Sequence, residues 1–454
     1  MALDLDIRLR QNRPALESER VGRWLLYSPG CREVSVLSPA GKRIWDAFGR
    51  GCSPRRALRG LARDGGLDGV GLPAVLGLIQ GLAERRLLLA EGTEAADPAD
   101  PEPPTPSPGR DPLVSLYVHL TNRCNLRCIY CYNGRYRAAH QDRDELSGGE
   151  LRGLVEQAAV LGVRSLVFTG GEPLLRREAV EAGCHARALG LRTSCLTNGT
   201  RVRRKAAAVA AAFDELVISL DSWRPEENAR IRVGSRLEEV AWGIRALAAA
   251  GAKVSIRPVI TRHNVDSLAG FPEWAERELG CRRFLLALCS PTLGEDLDLL
   301  RELPSPATYR RALRGFQEAL ERVRGEPEQG AGPAIKRVGR CGAGTGILSV
   351  APNGDVFPCQ CLHRPGLNAG NVRSQSLAEI WRRSPVLDRL RRGPPQPFSR
   401  CARCPVAGLC SLHCRAVHLA FAPVEAAFTG ALCPYARIEA EERLWWEADR
   451  RAAG

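Results

Sequence analysis

The amino-acid sequence predicts an α/β protein, an open and partial (β/α)6 TIM-like barrel with a winged-helix-like domain before it and a cysteine-rich domain after it. Three observations lead to this fold class. Strand-like apolar runs alternate with amphipathic stretches between residues 113 and 290. A stretch rich in proline and acidic residues, 92–112, separates this region from a smaller N-terminal one. From about residue 340 regular periodicity fades, and glycine, proline and cysteine dominate.

The N-terminal domain is predicted over residues 1–91. The runs "WLLYS" and "EVSVLS" are typical of a short hairpin, and "RLLLAE" is typical of a closing strand. The pairs Ser38-Pro39 and Ser53-Pro54 each combine an N-cap with proline at the first helical position, so each predicts a helix start. A third helix places four apolar side chains on one face, namely Val75, Leu78, Ile79 and Leu82. This element order is typical of a winged helix, and residues 92–112 are predicted to be a semi-rigid linker.

The barrel domain is predicted over residues 113–335. Its six strand-like runs are "LVSLYVHL" (113–120), "SLVFT" (165–169), "LRTSCLT" (191–197), "ELVISL" (215–220), "AKVSIRPVIT" (252–261) and "FLLAL" (284–288). Helix-like stretches fill the intervals, so the strands should be parallel and functional residues should follow their C-terminal ends. The remaining residues, 336–454, form the cysteine-rich domain.

Charge and hydropathy exclude some classes of protein. The formal net charge is +14, which is compatible with a polyanionic partner, but the basic residues are scattered and predict a solvated basic surface. Nucleic acid is therefore not the expected partner. No apolar run is long enough for a membrane span, and the N-terminus lacks the apolar core of a signal peptide. We expect a cytoplasmic protein.

The chain has 17 cysteines, and their clustering is informative. Without a secretory signal they should be thiols or metal ligands rather than disulfides. Six are solitary in or beside apolar runs and are expected to be small buried hydrophobes: Cys31, Cys52, Cys184, Cys195, Cys281 and Cys289. Three lie within eight residues, at Cys124, Cys128 and Cys131, and the other eight follow residue 340.

The loop "CNLRCIYCY" carries the first three-cysteine group as C-x3-C-x2-C, directly after the first barrel strand. A closed zinc site and an ordinary iron–sulfur cluster each take four protein ligands, so three thiols on one loop indicate a centre with one open position. The alternative is a zinc site in which His119 or His140 is the fourth ligand.

The spacing and location of this loop resemble the radical S-adenosylmethionine (SAM) superfamily over roughly residues 113–290. The resemblance implies a [4Fe–4S] cluster held by Cys124, Cys128 and Cys131, whose fourth iron binds SAM for reductive cleavage to a 5′-deoxyadenosyl radical. It also implies a set of SAM contacts. "TGGEPLL", with Gly170, Gly171 and Glu172, would bind the SAM amino group, and Arg232 would bind the SAM carboxylate. The nucleoside pocket would be lined by Tyr130, Asn198, Ser219 and Asp221.

The later cysteines run Cys341-x17-Cys359, with Gly354 between them, and then Cys401-x2-Cys404-x5-Cys410-x3-Cys414-x18-Cys433. This spacing resembles the SPASM domain, which carries two auxiliary [4Fe–4S] clusters, and so the resemblance implies three clusters in all. In that family the ligands interleave, with one cluster on Cys401, Cys404, Cys410 and Cys433 and the other on Cys341, Cys359 and Cys414. Cys361 is either a fourth ligand of the latter or a spare thiol. A pair of zinc ribbons is the alternative.

Two further resemblances bear on function. The N-terminal domain, mainly through "LSPAGKRIWDAFGRG", resembles the PqqD-like domain that binds leader peptides, although four arginines in "SPRRALRGLARDG" also suit a DNA-binding winged helix. In the sulfatase-maturing branch an Asp follows the residue matching Cys359, whereas this chain has Gln360, which cannot accept a proton.

These resemblances imply a radical SAM/SPASM enzyme that modifies a ribosomally made precursor peptide. Its partners would be that peptide, bound through its leader, and a flavodoxin- or ferredoxin-type electron donor. The alternatives are a sulfatase-maturation-like protein oxidase and a DNA-binding iron–sulfur regulator.

Overall fold

The structure is a computed structural model of the 454-residue chain. It describes residues 3–12, 15–28, 34–65, 70–93, 112–131, 134, 144–290, 297–325, 341–364, 366–392, 401, 404–410, 414–421 and 430–453. Most of the predicted linker, together with Cys31 and His140, lies outside these residues. Among the described helices, none is long and apolar enough to cross a membrane.

The described residues of the N-terminal region form five strands and three helices. The strands are β1 (Leu9–Gln11), β2 (Leu16–Arg20), β3 (Arg23–Tyr27), β4 (Ser35–Leu37) and β5 (Leu88–Ala90), and the helices are α1 (Pro39–Asp46), α2 (Pro54–Arg63) and α3 (Leu72–Glu84). The predicted hairpin is confirmed as β3 and β4, and β2 adds a third antiparallel strand that the sequence did not indicate. Ser38 and Ser53 cap α1 and α2 as predicted. The closing strand β5 pairs with β1 rather than with the hairpin.

In the barrel region, the part of the chain that the structure describes forms nine strands and seven helices. The strands are β6 (Ser115–His119), β7 (Arg127–Cys128), β8 (Ser165–Thr169), β9 (Arg192–Thr197), β10 (Glu215–Ile218), β11 (Arg232–Val233), β12 (Val254–Ile256), β13 (Val259–Ile260) and β14 (Ala287–Leu288). The helices are α4 (Gly148–Val160), α5 (Glu178–Ala188), α6 (Ala206–Ala212), α7 (Pro225–Ile231), α8 (Leu237–Ala249), α9 (Phe271–Leu279) and α10 (Pro306–Arg324). Five strands form a parallel sheet in the order β12-β10-β9-β8-β6.

The predicted fifth and sixth strands differ from the structure. The run 252–261 is split into β12 and β13, because Pro258 has no N–H to continue the ladder. The run 284–288 retains only β14, which pairs with β13 in a separate parallel pair, and one bridge joins Phe284 to Ile256. The sixth unit therefore completes the curve of the barrel without extending the main sheet.

The C-terminal region is more regular than its composition predicts. It contains strands β15 (Ile347–Val350), β16 (Asp355–Phe357) and β17 (Gly370–Asn371) and helices α11 (Leu377–Arg383), α12 (Pro385–Arg392), α13 (Arg415–Phe421) and α14 (Cys433–Ala453). β15 pairs in parallel with β6, so this region extends the barrel sheet to eight strands. Apolar burial organises the first part of this region, since Leu348, Val350 and Val356 belong to the main core.

The N-terminal sheet is buried on both faces. Leu26 and Leu37 pack against the N-terminal helices, whereas Leu16, Leu25 and Tyr27 form a cluster with residues of α14. A salt bridge of 2.5 Å joins Arg20 of β2 to Glu442 of α14, and Arg310 and Arg314 of α10 also contact Glu442. The C-terminal helix thus joins the N-terminal domain to the barrel.

Candidate functional site

The cysteine loop and the glycine turn are packed backbone to backbone. The N–H of Gly171 donates to the carbonyl of Thr121 at 2.7 Å, and that of Glu172 donates to the carbonyl of Arg123 at 2.8 Å. A Cβ at Gly170 would lie 2.4 Å from the Thr121 oxygen, and one at Gly171 would lie 2.0 Å from the Arg123 oxygen. Gly170 also has a φ of +133°. The absence of a side chain at these two glycines therefore lets the turn pack directly against the backbone that precedes Cys124.

The thiols of the loop are half-buried and lie in a polar setting. The Leu126 N–H donates to the sulfur of Cys124 at 3.4 Å, and the Asn198 amide approaches the same sulfur at 3.9 Å. Cys128 lies in β7, which pairs with β11, so the loop is held directly against Arg232. Burial raises the pKa of Cys128 to about 11, while the Arg232 guanidinium opposes that rise. Burial thus disfavours the free thiolate of Cys128, whereas the Arg232 charge favours that form, which is the form that binds metal.

A buried triad lies beside the loop. The Tyr130 hydroxyl donates to Asp221 at 2.6 Å, and Nη1 of Arg232 lies 2.5 Å from the Tyr130 oxygen and 3.4 Å from Asp221. Burial raises the pKa of Asp221, and the nearby Arg232 charge opposes that rise. The Arg232 side chain is 7% exposed, and its Nε has no hydrogen-bond partner among the described residues. A buried charged donor of this kind is expected to bind an anionic group.

The Glu172 carboxylate is fully buried and already receives three hydrogen bonds. They come from the Leu174 N–H at 3.0 Å and the Thr197 hydroxyl at 2.6 Å, both on Oε1, and from the Asn198 N–H at 2.7 Å on Oε2. Burial raises the pKa of Glu172, and these donors oppose the rise. The carboxylate therefore ties the ends of β8 and β9 together. Its remaining acceptor capacity is on Oε2, where the predicted ammonium contact would have to be made.

The other predicted SAM contacts lie at the same edge of the sheet. Asn198 follows β9 and bonds through its amide to Asn125 of the cysteine loop at 2.9 Å. Ser219 follows β10 and is half-buried. The structure thus collects residues from the ends of four parallel strands around one loop, and their individual roles remain predictions.

The later cysteines form two groups that meet at Cys414. Cys341, Cys359, Cys361 and Cys414 share one cluster with buried apolar residues, and Cys341 is hydrogen-bonded to Cys414. Cys401, Cys410 and Cys433 share another cluster, which Cys414 also contacts, and Cys404 packs against the neighbouring cluster of α14 and the N-terminal sheet. Among the described residues, no three potential ligands lie close enough for a single metal ion. Sulfur atoms bound to one tetrahedral zinc ion lie roughly 3.8 Å from one another, because each Zn–S bond is about 2.3 Å long.

His119 is buried in contact with a second histidine, His363. Its ring contacts that of His363 in a tilted arrangement, with centroids 4.4 Å apart, and neither ring nitrogen of His119 has a hydrogen-bond partner among the described residues. Burial lowers its pKa to about 3, so the ring is neutral. His363 follows the Cys359–Cys361 segment and bonds to Ser349 at 2.8 Å. Sequence reasoning missed this contact, because the two histidines are far apart in the chain.

The solitary cysteines are mostly as predicted. Cys195, Cys281 and Cys289 are buried and Cys52 is half-buried. The expectation was wrong for Cys184, which is exposed. Its helix α5 buries the face of Ala179, Ala182, Gly183 and Ala186, and Cys184 lies outside that face.

Comparison with known proteins identifies the family. Residues 118–275 match the radical SAM superfamily, and residues 341–405 match the SPASM iron–sulfur cluster-binding domain. The chain is 31% identical over 348 residues to a PqqA peptide cyclase from Xanthomonas axonopodis pv. citri, covering 73% of this chain and 90% of that protein. The chain belongs to the radical SAM superfamily and carries a SPASM domain. This membership establishes that it binds SAM and iron–sulfur clusters.

Other similar proteins agree with this assignment. The mycofactocin maturase MftC of Mycobacterium ulcerans is 30% identical over 309 residues, which is 65% of this chain and 81% of that protein. The fold resembles Streptococcus suis SuiB bound to its precursor peptide SuiA, with a TM-score of 0.54 and 16% identity over 88% of this chain and 94% of that one. It also resembles anSMEcpe with bound AdoMet, with a TM-score of 0.56 and 17% identity over 75% of this chain and 99% of that one.

Proposed function

We propose that this radical SAM protein modifies a ribosomally synthesised precursor peptide. The chain would hold an iron–sulfur cluster and SAM, and these groups would supply the radical chemistry needed to abstract a hydrogen atom from the peptide. The observation that carries the proposal is the buried triad of Tyr130, Asp221 and Arg232 against the three-cysteine loop, with one charged nitrogen left for an anionic ligand. Relatives named as a peptide cyclase and a maturase support a peptide as the substrate.

The residues at the ends of the strands would bind SAM. The unpartnered Arg232 Nε would hold the SAM carboxylate, and Oε2 of Glu172 would accept from the ammonium. Asn198 and Ser219 would line the nucleoside pocket with Tyr130 and Asp221. Because most of these groups are fixed by protein hydrogen bonds, the pocket needs little rearrangement on binding.

The SPASM region would hold two auxiliary clusters, which makes three four-iron clusters in the chain. Cys401, Cys404, Cys410 and Cys433 would hold one of them. We assign Cys341, Cys359, Cys361 and Cys414 to the other, because the structure brings all four thiols into one cluster of residues. Cys361 would thus be the fourth ligand that the family spacing leaves open.

The N-terminal domain would bind the leader of the precursor peptide. β4 pairs only with β3 among the described residues, so its other edge could accept an added strand beside α3. Arginines of α2 would favour an acidic leader, although Arg55 is already paired with Asp6 at 2.8 Å. That pairing also reduces the charge available to DNA. We expect the enzyme to work in the cytoplasm with a flavodoxin- or ferredoxin-type donor.

The test uses the reconstituted holoenzyme under anaerobic conditions with SAM, dithionite and the peptide encoded by a neighbouring short reading frame. The proposal predicts 5′-deoxyadenosine and a mass change in the peptide. Deleting residues 1–91 should abolish the mass change but retain slow uncoupled SAM cleavage. Salt-sensitive binding of random duplex DNA without SAM cleavage would favour the regulator, and formylglycine in a sulfatase peptide would favour the oxidase.

A further inference from the structure

The strand pair of β7 and β11 separates the first cysteine loop from solvent. Cys128 of β7 is paired with Arg232 of β11, which is 6% exposed. The neighbouring pair, Arg127 and Val233, is exposed. Because successive side chains of a strand point to opposite faces, the first pair faces the triad and the second faces water. A single layer of backbone therefore lies between the cysteine site and solvent.

The segment 199–204 extends this exposed surface on one side. The Asn125 amide of the cysteine loop donates to the Thr200 hydroxyl at 2.9 Å, which holds the segment beside the loop. Three exposed arginines follow within four residues, namely Arg201, Arg203 and Arg204.

The turn between β11 and α8 extends the surface on the other side. A Cβ at Gly234 would lie 3.4 Å from the carbonyl oxygen of Asn125, so this turn also packs against the cysteine loop. The exposed Arg236 follows the turn at the start of α8. Trp242 of the same helix is 39% exposed, and the Arg203 guanidinium lies 4.5 Å from the centre of its ring. This contact joins the two sides into one surface.

This basic surface carries more positive than negative charge. Its exposed guanidinium groups are those of Arg127, Arg201, Arg203, Arg204 and Arg236. Within the segments 125–127, 199–204 and 233–239, the acidic residues are Glu238 and Glu239, and Arg236 lies 3.8 Å from the latter. The other four arginines make no ion pair with any residue that the structure describes. The thiol of Cys128 lies on the opposite face of the strand pair, so it does not cover these charges.

The position of the basic surface indicates which partner it suits. A peptide must meet the radical on the inner side of the strand pair, where SAM would bind, so the outer side offers it no reactive group. A protein that delivers an electron gains from this side, because electron transfer slows steeply with distance and only one backbone layer intervenes. Opposite charge would steer such a partner to the surface, and the exposed Trp242 and Val233 add contact area.

We propose that the basic surface is the docking site of an acidic one-electron donor protein, whose redox group would face Arg127 and Val233. This inference rests on the proposed function and names the surface that its electron donor would contact. One electron leaves the donor and enters the site of the three loop cysteines, so the donor is oxidised as that site is reduced. No covalent bond forms or breaks between the two proteins. The interface should be small, below about 1,200 Å², as is usual for redox encounters.

The experiment measures association of a biotin-labelled, negatively charged recombinant flavodoxin with the anaerobic holoenzyme by biolayer interferometry, at low and at high salt. The double variant Arg127→Gln/Arg203→Gln should lower the association rate constant about threefold to tenfold at low salt. The difference should shrink at high salt, where exposed charges are screened. The double variant Arg164→Gln/Lys253→Gln is the matched control, because it loses the same charge from exposed residues that precede β8 and β12. It should associate like the wild type.

Iron content is measured in every variant, because Arg127 adjoins a cluster ligand. The double variant Arg203→Gln/Arg236→Gln lies outside the cysteine loop and repeats the test without that risk. Wild-type association rates in this variant would overturn the inference, as would a wild-type enzyme that does not bind flavodoxin. Random duplex DNA is measured in parallel. If the arginine variants lose affinity for DNA but not for flavodoxin, the surface binds nucleic acid and the inference is wrong.

A chemical reductant separates this inference from the proposed function. Dithionite needs no docking surface, so the wild type is also assayed with dithionite, SAM and the peptide of the neighbouring short reading frame. If the peptide is modified but flavodoxin association does not depend on the arginines, only the docking inference fails. If dithionite yields no modified peptide, the proposed function itself is contradicted, whatever the association rates are.

Discussion

Two arginines of the barrel differ in burial and in their charged partners. Arg232 is buried and bonded to Tyr130 and Asp221 beside the cysteine loop. Arg257 is exposed and, within the described chain, makes no ion pair. Arg232 lies in the two-stranded β7–β11 sheet and Arg257 directly follows β12 of the main sheet, and each arginine takes its character from its immediate neighbours.

This difference separates two kinds of task. A cofactor pocket meets the same ligand in every turnover, so its charged groups can be held by protein partners before the ligand arrives. A substrate wall must discriminate, and an unpaired charge does this because it is costly to cover without the right partner. The rigid triad therefore suits SAM, the ligand that is the same in every turnover.

The largest difference should appear in stability. Arg232→Met leaves the buried Asp221 carboxylate without its cation, which should lower the free energy of unfolding by about 3–5 kcal/mol. Arg257→Met should change it by less than about 0.5 kcal/mol, because no buried partner is left behind. Urea denaturation followed by tryptophan fluorescence would compare the two variants. An equal decrease in the free energy of unfolding of both variants would contradict the proposed difference between the two arginines.

A second test concerns how the cysteine loop is held. Gly171→Ala would place a Cβ 2.0 Å from the Arg123 carbonyl oxygen, so the loop must move. We expect this variant to lose about a third of its iron, the share of one cluster in three, together with SAM cleavage. Gly153→Ala is the matched control, since its Cβ would meet no atom within 4 Å on helix α4. A Gly171→Ala enzyme with full iron content would show that the loop tolerates displacement.

A smaller effect tests the ligand role of Cys361. In the holoenzyme iodoacetamide should label Cys184, which is exposed, but not Cys361. After the clusters are removed with a chelator, Cys361 should become reactive, whereas Cys289, which is buried without a cluster, should remain protected. Peptide mass spectrometry would measure the extent of alkylation at all three cysteines. A Cys361 that reacts in the holoenzyme would be a spare thiol.

The sequence predicted the framework well. Local patterns correctly predicted the caps at Ser38 and Ser53, the first four barrel strands and the position of the cysteine loop after the first strand. Each of these features depends on residues that are close together in the chain. Pro258 was also visible, and it should have shortened the fifth strand in the prediction.

The remaining features depend on long-range contacts. The pairing of β15 with β6 joins residues more than 200 positions apart, and no local pattern specifies it. The bonding of Glu172 to Thr197 and Asn198 likewise depends on the register of two parallel strands.

The central claim is that the opening cysteines hold a cluster that cleaves SAM. Its most direct test is iron content and 5′-deoxyadenosine production in the variant with Cys124, Cys128 and Cys131 all changed to Ala, against Cys184→Ala as the control. We expect about twelve irons per chain in the control, if all three four-iron clusters are present. The triple variant should retain about eight and form no 5′-deoxyadenosine. Continued 5′-deoxyadenosine production by the triple variant would contradict the account.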